Sequence, residues 1–218
     1  MSLRLAAPSA SPLLPRLAAM LTCSLGLMAG SAQAASACAD GFDSPTFNQR
    51  VYGLNMDGAL VKFKACRPDD IRSVGAVTGL TGADTRLVGI DFRVQDGLLY
   101  GVGNGGGIYT LDLDSAVAAK ASQLSVLLDG TQVGVDFNPA ANALRIVSNS
   151  GQNLRHPFAL PEPRTTLVDV PLNYVAGTPS AGIVAAAYTN NDLNPNTATT
   201  LFDIDATLAQ VVLQAPPN

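Results

Sequence analysis

The sequence predicts an all-β protein, built as a propeller-like array of about four blades of short antiparallel strands. Three observations predict it. Apolar runs of four to seven residues with β-branched or aromatic members, such as "VGIDF", "LLYGVG" and "GIYTLDL", alternate with turn-rich segments. Twenty Gly and 14 Pro are spread over 218 residues, which favours many turns over long helices. The chain also repeats itself at the period of a propeller blade.

The repeat is legible without gaps. "VYGLNMDGALVKF" (51–63) aligns with "LYGVGNGGGIYTL" (99–111), 48 residues on. "GIDFRVQDGLLYGVGNGGGIYT" (89–110) aligns with "GVDFNPAANALRIVSNSGQNLR" (134–155), 45 residues on. Each unit reads as four strands, a to d, that cannot bury both sheet faces alone and must stack on a neighbour. A β-sandwich shares the short strands and frequent turns but not the ungapped period.

Residues 1–34 read as a secretory signal. Arg4 and Arg16 precede the apolar run "LAAMLTCSLGLMAG" (17–30), and "AQA" closes at Ala34. The run is shorter than a membrane span requires, so no stable span is expected after cleavage. Residues 35–49 form a mature N-terminal segment, and residues 50–218 form the repeat domain. The first copy supplies b ("VYGL"), c ("LVKF") and d ("IRSVGAV"). The second supplies a, b and c, then "QLSVLL" as d, after the single helix-like stretch "DSAVAAKASQL" (114–124), where Ala raises helix propensity. The third ends in "TTLVDV" (165–170). The fourth has "IVAAAYTNN", "TTLFDID" and "QVVLQ" and reaches "APPN" without a d strand. The array therefore reads as incomplete, with its C-terminal blade truncated, and the chain as a shortened version of a longer protein.

Composition narrows function. With 47% hydrophobic and 14% charged residues the chain is not disordered over most of its length. Removing residues 1–34 takes two arginines and no acids, so 13 cations and 17 acids become 11 and 17, a net charge of −6. No Lys/Arg cluster marks a nucleic-acid or anionic membrane partner. Cys23 would leave with the signal. Cys38 and Cys66 remain as an even pair in an oxidising compartment, where either a disulfide or two small apolar residues fits the sequence. Secreted, periplasmic and cell-surface locations all agree with this.

The segments "LVGIDFRVQDGLLYGVGNGGGIYTLDL", "FNPAANALRIVSNSGQNLR" and "AAAYTNN" resemble the exported bacterial family called domain of unknown function 4394, over nearly all of residues 51–218. The resemblance implies a β-propeller-like fold and export. It implies no chemistry, since the family has no established catalytic residues.

The residues themselves offer few catalytic patterns. Gly101-x-Gly103-x-x-Gly106 has the spacing of a dinucleotide loop, but the alternating strand "IYTLDL" follows it where a helix is required. Only Gly58, Gly106 and Gly151 recur, at the tight b–c turn where positive φ is easiest for glycine. His156 is the single histidine and no GxSxG elbow accompanies it, so a partly exposed strand-end residue is expected rather than a triad base. Asp91 and Asp136 occupy one position in successive a strands. They read as hydrogen-bond acceptors for the following turn, or as part of an acidic ring that could hold Ca²⁺. "DLD" (Asp112, Asp114) and "DID" (Asp203, Asp205) read as solvent-facing strand ends. Asn149, Asn153, Asn190 and Asn191 are candidate ligand contacts or left-handed turn residues. Arg145, inside a b strand, could pair with Asp136 or face a channel. With no triad, metal signature or cofactor loop, the sequence favours a binding or scaffold module for a protein, glycan or small molecule. The alternative is a metal-dependent propeller hydrolase or lactonase.

Overall fold

A computed structural model describes residues 49–175 and 177–215. Residues 1–34, read above as a signal, residues 35–48 with Cys38, and residues 216–218 lie outside the described residues. These are all-β: sixteen strands, no helix, in five small antiparallel sheets, none closed on itself.

Sheet I is β1 (Arg50–Leu54), β2 (Ala59–Lys64) and β3 (Arg67–Ala76). Sheet II is β4 (Leu87–Arg93), β5 (Leu98–Gly103), β6 (Gly107–Leu111) and β7 (Ala118–Gln123). Sheet III is β8 (Val133–Asn138), β9 (Ala143–Ser148), β10 (Asn153–Pro157) and the short β11 (Leu167–Val168). A two-stranded ribbon follows, β12 (Asn173–Val175) and β13 (Thr178–Pro179). Sheet IV is β14 (Ile183–Tyr188), β15 (Leu201–Asp205) and β16 (Gln210–Gln214). In sheets I to IV the strands pair in chain order, and β4 packs on β8 and β8 on β14. Successive meanders stacked through their first strands are compatible with propeller blades.

Two expectations need correction. The helix-like stretch 114–124 is a turn followed by β7, and "SVLL" after it is not a strand. Antiparallel pairing of Leu111 with Ala118 and of Thr110 with Ala119 outweighs the helix propensity of alanine. Ala116 and Ala118 are both buried, in one apolar cluster with Leu111 and Tyr109. The ribbon β12–β13 was not anticipated; "NYVAGTP" carries too few apolar positions to announce it.

The register of the three complete a–b pairs gives a common frame. Phe92 faces Leu99, Phe137 faces Leu144 and Tyr188 faces Leu201, each leucine being buried. One rung further along, Ile90 pairs with Gly101, Val135 with Ile146 and Ala186 with Asp203. Alternation puts these rungs on the face toward the preceding sheet.

Between sheets II and III the core is dry and aromatic. Tyr100, Phe137 and Phe158 meet edge to face at centroid separations of 5.0–5.3 Å, with Val102, Ile108, Leu144, Ile146 and Leu154 around them. Between sheets III and IV the apolar cluster is small: Val147, Leu172 and Ile183, with Ala186 and Val212 against them. The opposite face of sheet IV carries Phe202, Ile204, Val211 and Leu213, all exposed.

The glycine-rich loop does cradle an anion, and the anion is the chain's own. The Asp84 carboxylate accepts the N–H groups of Gly105 (2.6 Å) and Gly107 (3.1 Å) and the Tyr109 hydroxyl (2.7 Å). A Cβ at Gly103 or Gly107 would lie 2.2 or 2.1 Å from Asp84 oxygens. These glycines fit one buried side chain, which is why the neighbouring repeats lack them. Gly58, Gly106 and Gly151 share a different property, φ of 77°, 85° and 83° at the b–c turns.

Candidate functional site

Asp91 and Asp136 are brought together, as links between sheets. Asp91 Oδ2 accepts the Phe137 N–H at 2.7 Å, and Asp136 Oδ2 accepts the Tyr188 N–H at 2.7 Å. Each acid thus bonds the a strand of the next sheet, not the turn that follows its own strand. Burial raises both carboxyls above the ordinary range, Asp91 to about 6, and at Asp136 the neighbouring Asp91 charge adds to burial and lifts it to about 8. The fourth sheet has Ala187 at this position, so the described ladder ends at Tyr188.

Asn149 organises a loop. Its Oδ1 accepts the N–H groups of Thr131 and Gln132, and its Nδ2 donates to Thr131 Oγ1. Asn104 does the same for Thr85 and Arg86 in the preceding repeat. Asn190 has φ of 55° and donates to the Ala198 carbonyl, while Asn191 is exposed beside it. His156 is fully buried, correcting the exposed strand end expected of it. Its ring nitrogens lie 2.9 Å from Ser122 Oγ and 3.0 Å from Thr166 Oγ1, and burial lowers its pKa to about 4. It is a neutral crosspiece between β7 and sheet III. Cys66 is disulfide-bonded, and Cys23 and Cys38 both lie outside the described residues.

The strongest site lies between sheets III and IV. A cavity of about 390 Å³ opens there, walled by Pro171, Leu172, Ile183 and Val212, with Tyr174 at its lining. Two polar lining residues, Asn153 and Asp169, are held from behind by Arg145, which follows Leu144 on β9 and therefore faces sheet IV. Arg145 is 1% exposed. It donates to Asp169 Oδ2 at 2.6 Å, to Asn153 Oδ1 at 2.7 Å and to the Tyr188 hydroxyl at 3.2 Å. Asp169 also holds Arg155, at 3.0 Å. Burial pushes the Asp169 carboxyl up, but these arginine hydrogen bonds outweigh it and leave it below the usual range.

Asp203 corrects the sequence reading most sharply. It is not a solvent-facing strand end: its exposure is 2%, and that of Asp205 is 1%. The register gives the reason, since Asp203 occupies the rung of Ile146 and points at sheet III. Burial pushes its pKa up to about 6, while the Arg145 charge pulls it back. Asp203 Oδ1 has no hydrogen-bond partner among the described residues. Neither has Gln214 Oε1, while Ser180 Oγ lies beside the Tyr174 phenol. All three atoms belong to residues lining this one cavity. Buried polar atoms are almost always satisfied, so two unpartnered acceptors at one space, with a serine hydroxyl beside them, mark a place where a ligand or water completes them. The repeat alignment carried the signal: an acid on a rung that takes Ile or Gly elsewhere.

Among solved structures the chain is similar to the major allergen Mala s 1 of Malassezia sympodialis, at 12% identity and a TM-score of 0.45 over 74% of this chain and 47% of that one. It is similar to an auxiliary nutrient binding protein from Bacteroides ovatus, at 9% identity and a TM-score of 0.44 over 80% and 56%. It is also similar to the N-terminal domain of Nup159, at 10% identity and a TM-score of 0.32 over 75% and 46%. The chain spans about half the length of these structures. No curated protein matches it. The family described as Domain of unknown function (DUF4394) matches residues 59–218, most of the chain and every sheet from β2 onward, and the chain belongs to that family.

Proposed function

We propose that this protein is an exported small-molecule-binding module whose site is the cavity between sheets III and IV. The carrying observation is the buried Asp203 carboxylate, with one oxygen unpartnered and the cavity beside it. A volume of about 390 Å³ falls at the small end of ligand pockets, roughly 300–1,000 Å³. Apolar walls around a few convergent polar atoms are the usual composition of such sites. Export is supported by the signal-like residues 1–34 and by a disulfide-bonded Cys66. The stacking of meanders supports reading the sheets as blades of a propeller-like array.

The test is a thermal-shift panel of small polar metabolites on the wild type and on Asp203→Ile. A ligand at 100 times its Kd stabilises by about 2.7 kcal/mol, a shift of several degrees. At least one compound is expected to shift the wild type and leave the variant unmoved. No shift in either protein, or equal shifts in both, would overturn the site.

A further inference from the structure

We infer that the cavity takes a neutral polyhydroxylated ligand of monosaccharide size, held by paired hydroxyls on Asp203 and Gln214 with its C–H face on Leu172, Ile183 and Val212. This rests on the binding reading above and specifies its ligand.

The unpartnered atoms set the first requirement. Asp203 Oδ1 and Gln214 Oε1 are acceptors, so the ligand must bring hydrogen-bond donors. Ser180 Oγ can donate or accept, which suits a hydroxyl better than a group that only donates. Charge sets the second requirement. Asp169 pairs with both Arg145 and Arg155, and the Arg145 charge also acts on Asp203, so two cations already stand against the two acids of the lining. A bound ammonium or metal cation would add an unmatched positive charge beside Arg145, whose exposure is 1%. An anion would meet the Asp203 carboxylate directly. A neutral donor avoids both costs, and a carboxylate can accept two adjacent hydroxyls at once. The walls set the third requirement. Leu172 and Ile183 are 8% and 2% exposed and offer only apolar contact, which a sugar or cyclitol ring supplies through its C–H face. Tyr174, half-exposed and anchored through its hydroxyl to Asp205 Oδ2 at 2.7 Å, offers an aromatic surface at the same lining.

The experiment is calorimetric titration of the purified protein with D-glucose, D-galactose and myo-inositol, and separately with ethanolamine and ethylammonium. Wild type, Asp203→Asn and Asp203→Ile are compared after their melting curves show that each is folded. The expected result is saturable binding of at least one neutral polyol, weakened about tenfold or more in Asp203→Asn and lost in Asp203→Ile. Binding of an amine, dependent on Asp203 and without polyol binding, overturns the ligand class and leaves the cavity as the site. Polyol binding undiminished in Asp203→Ile overturns both. No binding by any of these probes overturns the ligand class.

Discussion

Two interfaces between successive meander sheets differ almost completely. Between sheets II and III the rung positions are filled by Val135 and Ile146, and three aromatic rings close the space. Between sheets III and IV the matching rung is Ala186 and Asp203, the residue facing forward from β9 is Arg145, and a cavity remains. The first interface has the composition of a domain core. The second has few apolar contacts, a buried ion-pair network and unsatisfied acceptors, features that seldom arise for stability alone. On the proposed function, packing and ligand binding are thus divided between neighbouring seams.

The sharpest way to break the comparison is to write the second seam into the first. Ile146→Asp places an unpaired acid in the dry interface and should cost about 4 kcal/mol or more, measured by urea unfolding. Removing the cation from the polar seam comes next. Arg145→Met takes the buried cation away from Asp203 and leaves Asp169 with Arg155 alone, and should cost about 3–5 kcal/mol. The opposite exchange, Asp203→Ile, restores the repeat's apolar rung. It should stabilise the protein by about 1–3 kcal/mol while abolishing ligand binding. A stability gain paired with lost binding is the pattern expected of a residue kept for function.

The smallest effect concerns the acids that link the a strands. Asp136 is held near 8 in the folded protein, well above the ordinary carboxyl value of an unfolded chain. Between those values the folded state binds the extra proton, so stability falls as pH rises through 8. His156, lowered to about 4, and Asp203, raised to about 6, change protonation below this window. From pH 6.5 to 8.5 the melting temperature should therefore drop by a few degrees, and Asp136→Asn should flatten that slope. The amide can still accept the Tyr188 N–H while donating toward Asp91.

Much of the fold was legible because hydrophobic period and turn chemistry are local. The b and c strands of every repeat, and the turns at Gly58, Gly106 and Gly151, lie where "VYGL", "LYGVG" and "RIVS" place them. β7 was not legible, because strand pairing decided against the local preference of an alanine-rich segment. The candidate site was hardly legible at all. Asp203 looks like any acid in an alternating "FDID", and its burial follows only from which sheet its rung faces. Arg145 was recognised as out of place, but its partner Asp169 lies 24 residues on, beyond a proline-rich loop. The Gly101-x-Gly103-x-x-Gly106 pattern was informative in an unexpected way, since the loop containing it enfolds the carboxylate of Asp84.

The division between the two seams is tested most directly by mapping backbone amide shifts in the ¹H–¹⁵N spectrum during titration with a saturating polyol. The expected result is a cluster of perturbed amides at Asn153, Leu172 to Tyr174, Asp203 and Val212 to Gln214, with Tyr100, Phe137, Ile146 and Phe158 unmoved. Perturbations centred on the aromatic seam, or on the exposed face of Phe202 and Ile204, would contradict it.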